Sequence, residues 1–176
     1  MIILYALVFC RVTVGLIFIW SFVGKVRDFS SFVKTIDQFR LLPKALHRLS
    51  ALSFLAGELI VVIFMIIGKG LLVWGFLLAI LMLFVFTIGL ISVVLRKIQT
   101  PCNCFGTSQK LITSYDIIRN IGFFLCSLSG YCLLINGTGD MTPISWLGWG
   151  LVGAIAFIFI VLSVQLEELI QLFRSI

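Results

Sequence analysis

Residues Leu71 to Leu95 contain no charged side chain at all. A run of that length exceeds the roughly 20 apolar residues that cross a hydrocarbon core as a helix. Four further runs are of similar kind: about Ile2 to Val23 with Arg11 inside it, Leu49 to Ile67 with Glu58, Tyr115 to Ile135 with Arg119 one turn in, and Trp146 to Leu166. In lipid only a helix satisfies its own backbone polar groups, so the pattern predicts five transmembrane helices in one domain over residues 1–176. Only 11% of the chain is charged against 61% hydrophobic. A water-soluble domain carries about 25% charged residues, so the chain is an all-α integral membrane protein.

The connections fit this reading. Gly68-Lys69-Gly70 suits a tight helical hairpin. Trp146 and Trp149 stand where an aromatic belt belongs. In the longer first connection, Phe29, Phe32, Val33, Ile36 and Phe39 recur at three- and four-residue steps, with most polar residues elsewhere. That spacing predicts an amphipathic helix over about 29–40, ended by Leu42-Pro43. It either lies in the membrane interface or packs on the bundle as a plug. The first run lacks a basic n-region and a small-residue cleavage site, and is expected to stay as an anchor.

The net charge of +6 does not point to nucleic acid, because the basic residues sit in the loops between apolar runs. Helix alternation places Lys25, Arg27, Lys34, Arg40, Lys44, Arg48, Arg96, Lys97, Lys110 and Arg174 on one face, and Lys69 on the other. The positive-inside rule makes that basic face cytoplasmic.

The same face carries Pro101-Cys102-Asn103-Cys104-Phe105-Gly106. Pro101 stops a helix and Gly106 permits a turn, which leaves two thiols on irregular backbone at a membrane surface. A disulfide across one intervening residue is strained, and strained disulfides are the oxidising, labile ones. The pair therefore suits thiol–disulfide transfer better than stapling. Disulfides persist outside the cytosol, so redox logic and charge point to opposite faces. Arg119, on the same face, is a cation that would favour the thiolate; its alternative role is to snorkel to headgroups. Two thiolates and a distant His47 are too few for a zinc site, and no metal is expected. Cys10, Cys126 and Cys132 lie within helices as small hydrophobes; Cys10 and Cys132 could pair only if their helices touch.

Ionisable residues inside spanning helices mark function by default. At 1.5 Å per residue, Arg11 is about 20 Å and Glu58 about 12 Å from the basic face. An arginine reaches across much of that gap. An Arg11–Glu58 ion pair is therefore expected, as a structural pair or as part of a polar pocket for a quinone head or a proton path.

Arg11-x3-Gly15-x2-Phe18 followed by Lys25 resembles the first helix of the DoxX and MauE-like membrane proteins. Glu58, Cys102-x-Cys104-Phe105-Gly106 and Arg119-Asn120 resemble the MauE branch. The resemblance covers Arg11 to about Ile135. It implies a multi-pass protein of the bacterial cytoplasmic (inner) membrane linked to thiol–disulfide exchange, with Asn120 beside Arg119 as polar support and Lys25 in the intramembrane polar set. It also implies a four-helix bundle similar to vitamin K epoxide reductase and DsbB-type enzymes, with a fifth helix added, and cysteines facing outside. Those enzymes use Cys-x-x-Cys, which this chain lacks. Two functions follow as expectations. One is a membrane thiol–disulfide oxidoreductase acting through Cys102 and Cys104 on a thioredoxin-like protein or a disulfide-containing secreted protein, with a quinone as its cofactor. The other is a non-catalytic accessory, chaperone or immunity subunit with structural cysteines. In the second reading Gly148, Gly150, Gly153 and Ala154 form a packing face.

Overall fold

A computed structural model describes residues 2–39, 46–96, 114–137 and 146–165. The Leu42-Pro43 stop and the Cys102–Cys104 pair lie outside these residues. Among the described residues, six helices run α1 (Ile2–Arg27), α2 (Phe29–Phe39), α3 (His47–Ile67), α4 (Leu71–Leu95), α5 (Ser114–Asn136) and α6 (Trp146–Val164). All but α2 are long and apolar enough to cross a membrane. Each of these five is apolar around most of its circumference, and large residues such as Trp74, Leu81, Phe84, Leu125 and Phe157 stay exposed. Such surface is stable only where the solvent is itself hydrocarbon.

Helices α1, α3, α4 and α5 form a closed ring, each packed on the next, and α6 adds to the outside of α1. This is a four-helix bundle with a fifth spanning helix. The ring's core is built from Val14, Ile17, Phe18, Val61, Met65, Leu72, Phe76, Ala79 and Phe123. Val152, Ala156 and Ile160 recur at four-residue steps and give α6 its buried stripe. Phe159 joins α6 to the bundle by edge-on contacts with Phe9 at 5.8 Å and Phe123 at 6.3 Å.

The α3–α4 hairpin turns on Gly68, which has φ +70°, a left-handed conformation that glycine adopts without steric cost. A side chain there would also meet Arg11: a Cβ would lie 2.7 Å from its guanidinium.

α1 continues one turn beyond its apolar run, to Arg27. Its last turns are anchored because Lys25, only 3% exposed, points into the bundle. Asp28 then starts α2, accepting hydrogen bonds from the Ser31 backbone N–H at 3.1 Å and the Ser30 hydroxyl at 3.2 Å. α2 packs on the bundle. Phe32 and Ile36 bury against Ala51, with Phe29, Val33 and Phe54 packed around them. Lys34 and Asp37 remain exposed. Asp37 also contacts His47 Nδ1 at 3.1 Å, tying the far end of α2 to the start of α3.

Candidate functional site

α1 and α3 run antiparallel, and their register decides which charges meet. Gly15 faces Met65, and Ser21 faces Glu58. Arg11 lies ten residues from Ser21 along the same helix, so about 15 Å of rise separates it from the level of Glu58. The expected Arg11–Glu58 pair does not form. Arg11 instead donates from Nε to the Met65 carbonyl at 2.7 Å and from a terminal nitrogen to the Ile66 carbonyl at 2.9 Å. Those carbonyls belong to the last turn of α3, whose C=O groups lack helical partners. The guanidinium also stands 5.7 Å from the Trp149 ring centre. Arg11 thus clasps α1, the α3–α4 hairpin and α6 at the end of the bundle opposite Lys25.

The partner of Glu58 is Lys25. Glu58 Oε1 accepts from Lys25 Nζ and from the Ser21 hydroxyl, the latter at 2.9 Å. Lys25 also donates to Ser21 Oγ at 2.9 Å. The rings of Phe32, Phe86 and Phe54 stand 5.0, 5.5 and 5.9 Å from the ammonium. Three helices thus supply an aromatic cage around one cation. A buried charge needs such pairing to be tolerated at all.

Beside this pair is a small cleft of about 30 Å³, lined by Ser21, Lys25, Glu58 and Asn120 with the apolar side chains Ile17, Phe18, Phe54, Met82, Leu83 and Phe86. Space of that size admits about two waters beside the polar groups. Asn120 donates both of its N–H bonds away, to the Leu83 carbonyl at 3.1 Å and to Thr87 Oγ1 at 2.6 Å. One polar atom in the cleft has no partner. Glu58 Oε2 is buried and makes no hydrogen bond. An unsatisfied buried carboxylate oxygen is costly and asks for a donor. A smaller hollow, with no room for a water and lined by Thr13, Cys126 and Ser127, shares the walls Ile17, Phe18 and Leu83 with the cleft. The Thr13 hydroxyl in it also lacks a partner.

Of the residues singled out in the sequence, Lys25, Glu58 and Asn120 converge on one cleft, while Arg11 stands apart. Arg119 is bound to Asp116 at 2.7 Å, one turn earlier on α5. Cys102 and Cys104 lie outside the described residues. Among the inner thiols, Cys10 comes within hydrogen-bonding reach of Cys126, and Cys132 is exposed. Ser21 escaped the sequence reading. Its one signal was the four-residue spacing to Lys25, which puts both on one face of α1. Among the described residues no cluster of three or more His, Cys, Asp or Glu could hold a metal ion.

Four spanning helices around a buried, charge-paired cleft, with a fifth packed outside them, define a multi-pass membrane protein with an interior polar site. The family model described as methylamine utilisation protein MauE matches residues 3–134, well over half of the chain, and the protein belongs to that family. No curated protein and no solved structure gives a significant match.

Proposed function

We propose that this is a membrane thiol–disulfide redox protein of the bacterial inner membrane. It supports disulfide formation or exchange in a partner protein through Cys102 and Cys104. The observation that carries the reading is positional. α4 and α5, whose ends Arg96 and Ser114 bracket the cysteine segment, both line the cleft, through Met82, Leu83 and Phe86 on one and Asn120 on the other. In sequence, the thiol pair stands between two helices that both line the pocket, which supports the reading. The Cys102–Cys104 disulfide takes two electrons from a partner dithiol, which becomes the disulfide as the pair becomes two thiols. A lipid-soluble quinone in the membrane would take up those two electrons together with two protons.

A single-thiol variant tests this. Cys104→Ser should trap the partner as a mixed disulfide on Cys102, visible as a reducible adduct on non-reducing gels and identified by mass spectrometry. The reading fails if neither Cys104→Ser nor Cys102→Ser traps any protein and both leave partner disulfides unchanged.

The second reading, a non-catalytic accessory subunit, is favoured by α6. Gly150 and Gly153 have open space where a Cβ would stand, so another helix could approach closely there. Stable co-purification of a membrane partner that survives loss of both loop thiols would favour it.

A further inference from the structure

Two thiols inside the bundle are untouched by the loop chemistry. Cys10 on α1 and Cys126 on α5 come within hydrogen-bonding reach of each other. A buried cysteine by itself is a small, inert hydrophobe, but three features set this pair apart. First, the helices are close enough to be joined. α1 meets α5 at Gly130, where a Cβ would lie 3.0 Å from the Cys10 Cβ. Cys126 stands four residues before Gly130 and so shares its side of α5. A disulfide needs such an approach, with Cα atoms about 4.4–6.8 Å apart.

Second, a hydroxyl donor stands unused beside the sulfur. Thr13, fully buried one turn beyond Cys10, lines the smaller hollow together with Cys126 and Ser127. The Ser127 hydroxyl is given to the Phe123 carbonyl at 3.0 Å, whereas the Thr13 hydroxyl has no partner. No water fits there, so an acceptor must come from the lining, and Cys126 brings a sulfur to it. The thiolate is the form that builds an S–S bond, and a hydroxyl donated to it is a charge-assisted bond that favours it. Third, Cys126 is only half-buried, near the middle of a spanning helix. An oxidant dissolved in the hydrocarbon therefore has access to the pair without entering the cleft beside Glu58.

We propose that Cys10 and Cys126 are a second redox pair, set within the bilayer, which a lipid-soluble quinone closes to a disulfide joining α1 to α5. Two S–H bonds break and one S–S bond forms. The quinone takes both electrons and both protons, and its two carbonyls become the hydroxyls of the hydroquinone. Thr13 acts as a positioning residue that donates to the attacking sulfur. The pair is separate from Cys102 and Cys104, and its closure does not depend on what those thiols do.

The experiment uses the full chain carrying Cys102→Ser, Cys104→Ser and Cys132→Ser, which leaves Cys10 and Cys126 as its thiols. The reduced protein in anaerobic nanodiscs is exposed to decylubiquinone, whose ring has no open position for thiol addition. It is then denatured, alkylated and weighed intact. Alkylation should fall from two adducts to none, with a loss of two hydrogens from a chain that remains monomeric. Copper(II)–phenanthroline, in which two copper ions each take one electron, should give the same product. Two adducts retained after quinone overturn the proposal, whether or not copper closes the pair, and so does a disulfide between two chains. Thr13→Val should slow closure by about tenfold, and Thr13→Ser should keep the parent rate. Closure as fast in a folded Thr13→Val protein as in the parent overturns the role of Thr13. The loop thiols are absent from this protein, so its result stands apart from the trapping of mixed disulfides.

Discussion

Replacing either member of the Lys25–Glu58 pair should destabilise the bundle far more than replacing both. The two side chains are 3% and 4% exposed, so little solvent screens them. Glu58→Gln leaves the ammonium of Lys25 buried with no counter-charge, and Lys25→Met leaves the carboxylate in the same position. Breaking a buried pair from one side costs about 3–5 kcal/mol, whereas exchanging the whole pair for apolar side chains of similar volume is often neutral. In Lys25→Met/Glu58→Leu the remaining polar group is the Ser21 hydroxyl, which can turn to a carbonyl of the preceding turn of α1. The double variant should therefore lie at least about 2 kcal/mol above the sum of the single losses, a coupling that a double-mutant cycle reads directly. Unfolding by denaturant in one fixed detergent, followed by helical circular dichroism, supplies the four stabilities. Single variants within about 0.5 kcal/mol of wild type, or a strictly additive double, would refute the claim that this pair is desolvated and mutually dependent.

Four further outcomes follow from the packing and the cysteine loop. Gly130→Ala should cost about 1–3 kcal/mol or more in the same unfolding assay, because a Cβ would lie 2.5 Å from the Phe76 ring and 3.0 Å from Cys10 Cβ. Gly57→Ala should cost less than that, because the atoms it meets are the flexible end of Met82 at 2.9 and 3.1 Å. Gly68→Ala should be destabilised by about 1–2 kcal/mol from its left-handed backbone alone, and part of any further loss should vanish in an Arg11→Ala background, where the 2.7 Å clash is gone. A membrane-impermeant thiol reagent applied to intact cells should label Cys102 and Cys104 if the loop faces outward; labelling only after permeabilisation would place it with the positive-inside rule.

Length and hydropathy made the spanning helices legible, because nothing but helix tolerates runs such as Leu71 to Leu95 in lipid. The amphipathic spacing of Phe29, Phe32 and Ile36 likewise marked α2 and its buried side. The neighbours of each helix were not legible to the same degree. α1, α4 and α6 are apolar nearly all round, so periodicity does not reveal which face turns inward. Depth along a helix was a poor guide to Arg11 and Glu58 for a related reason. Depth counts residues from a membrane face, whereas partners are set by the antiparallel register of α1 on α3. That register brings Ser21 and Lys25 to Glu58 and sends Arg11 to the carbonyls ending α3. Asn120 stood out beside Arg119, yet its contacts with Leu83 and Thr87 on α4 come from tertiary packing that no local pattern encodes.

The most direct test of the redox account is the oxidation state of Cys102 and Cys104 in living cells, trapped by acid quench and alkylation and resolved by peptide mass spectrometry. The account predicts a substantial disulfide fraction in wild-type cells. A pair that stays fully reduced in every condition, with serine replacements that leave partner disulfides untouched, would contradict it.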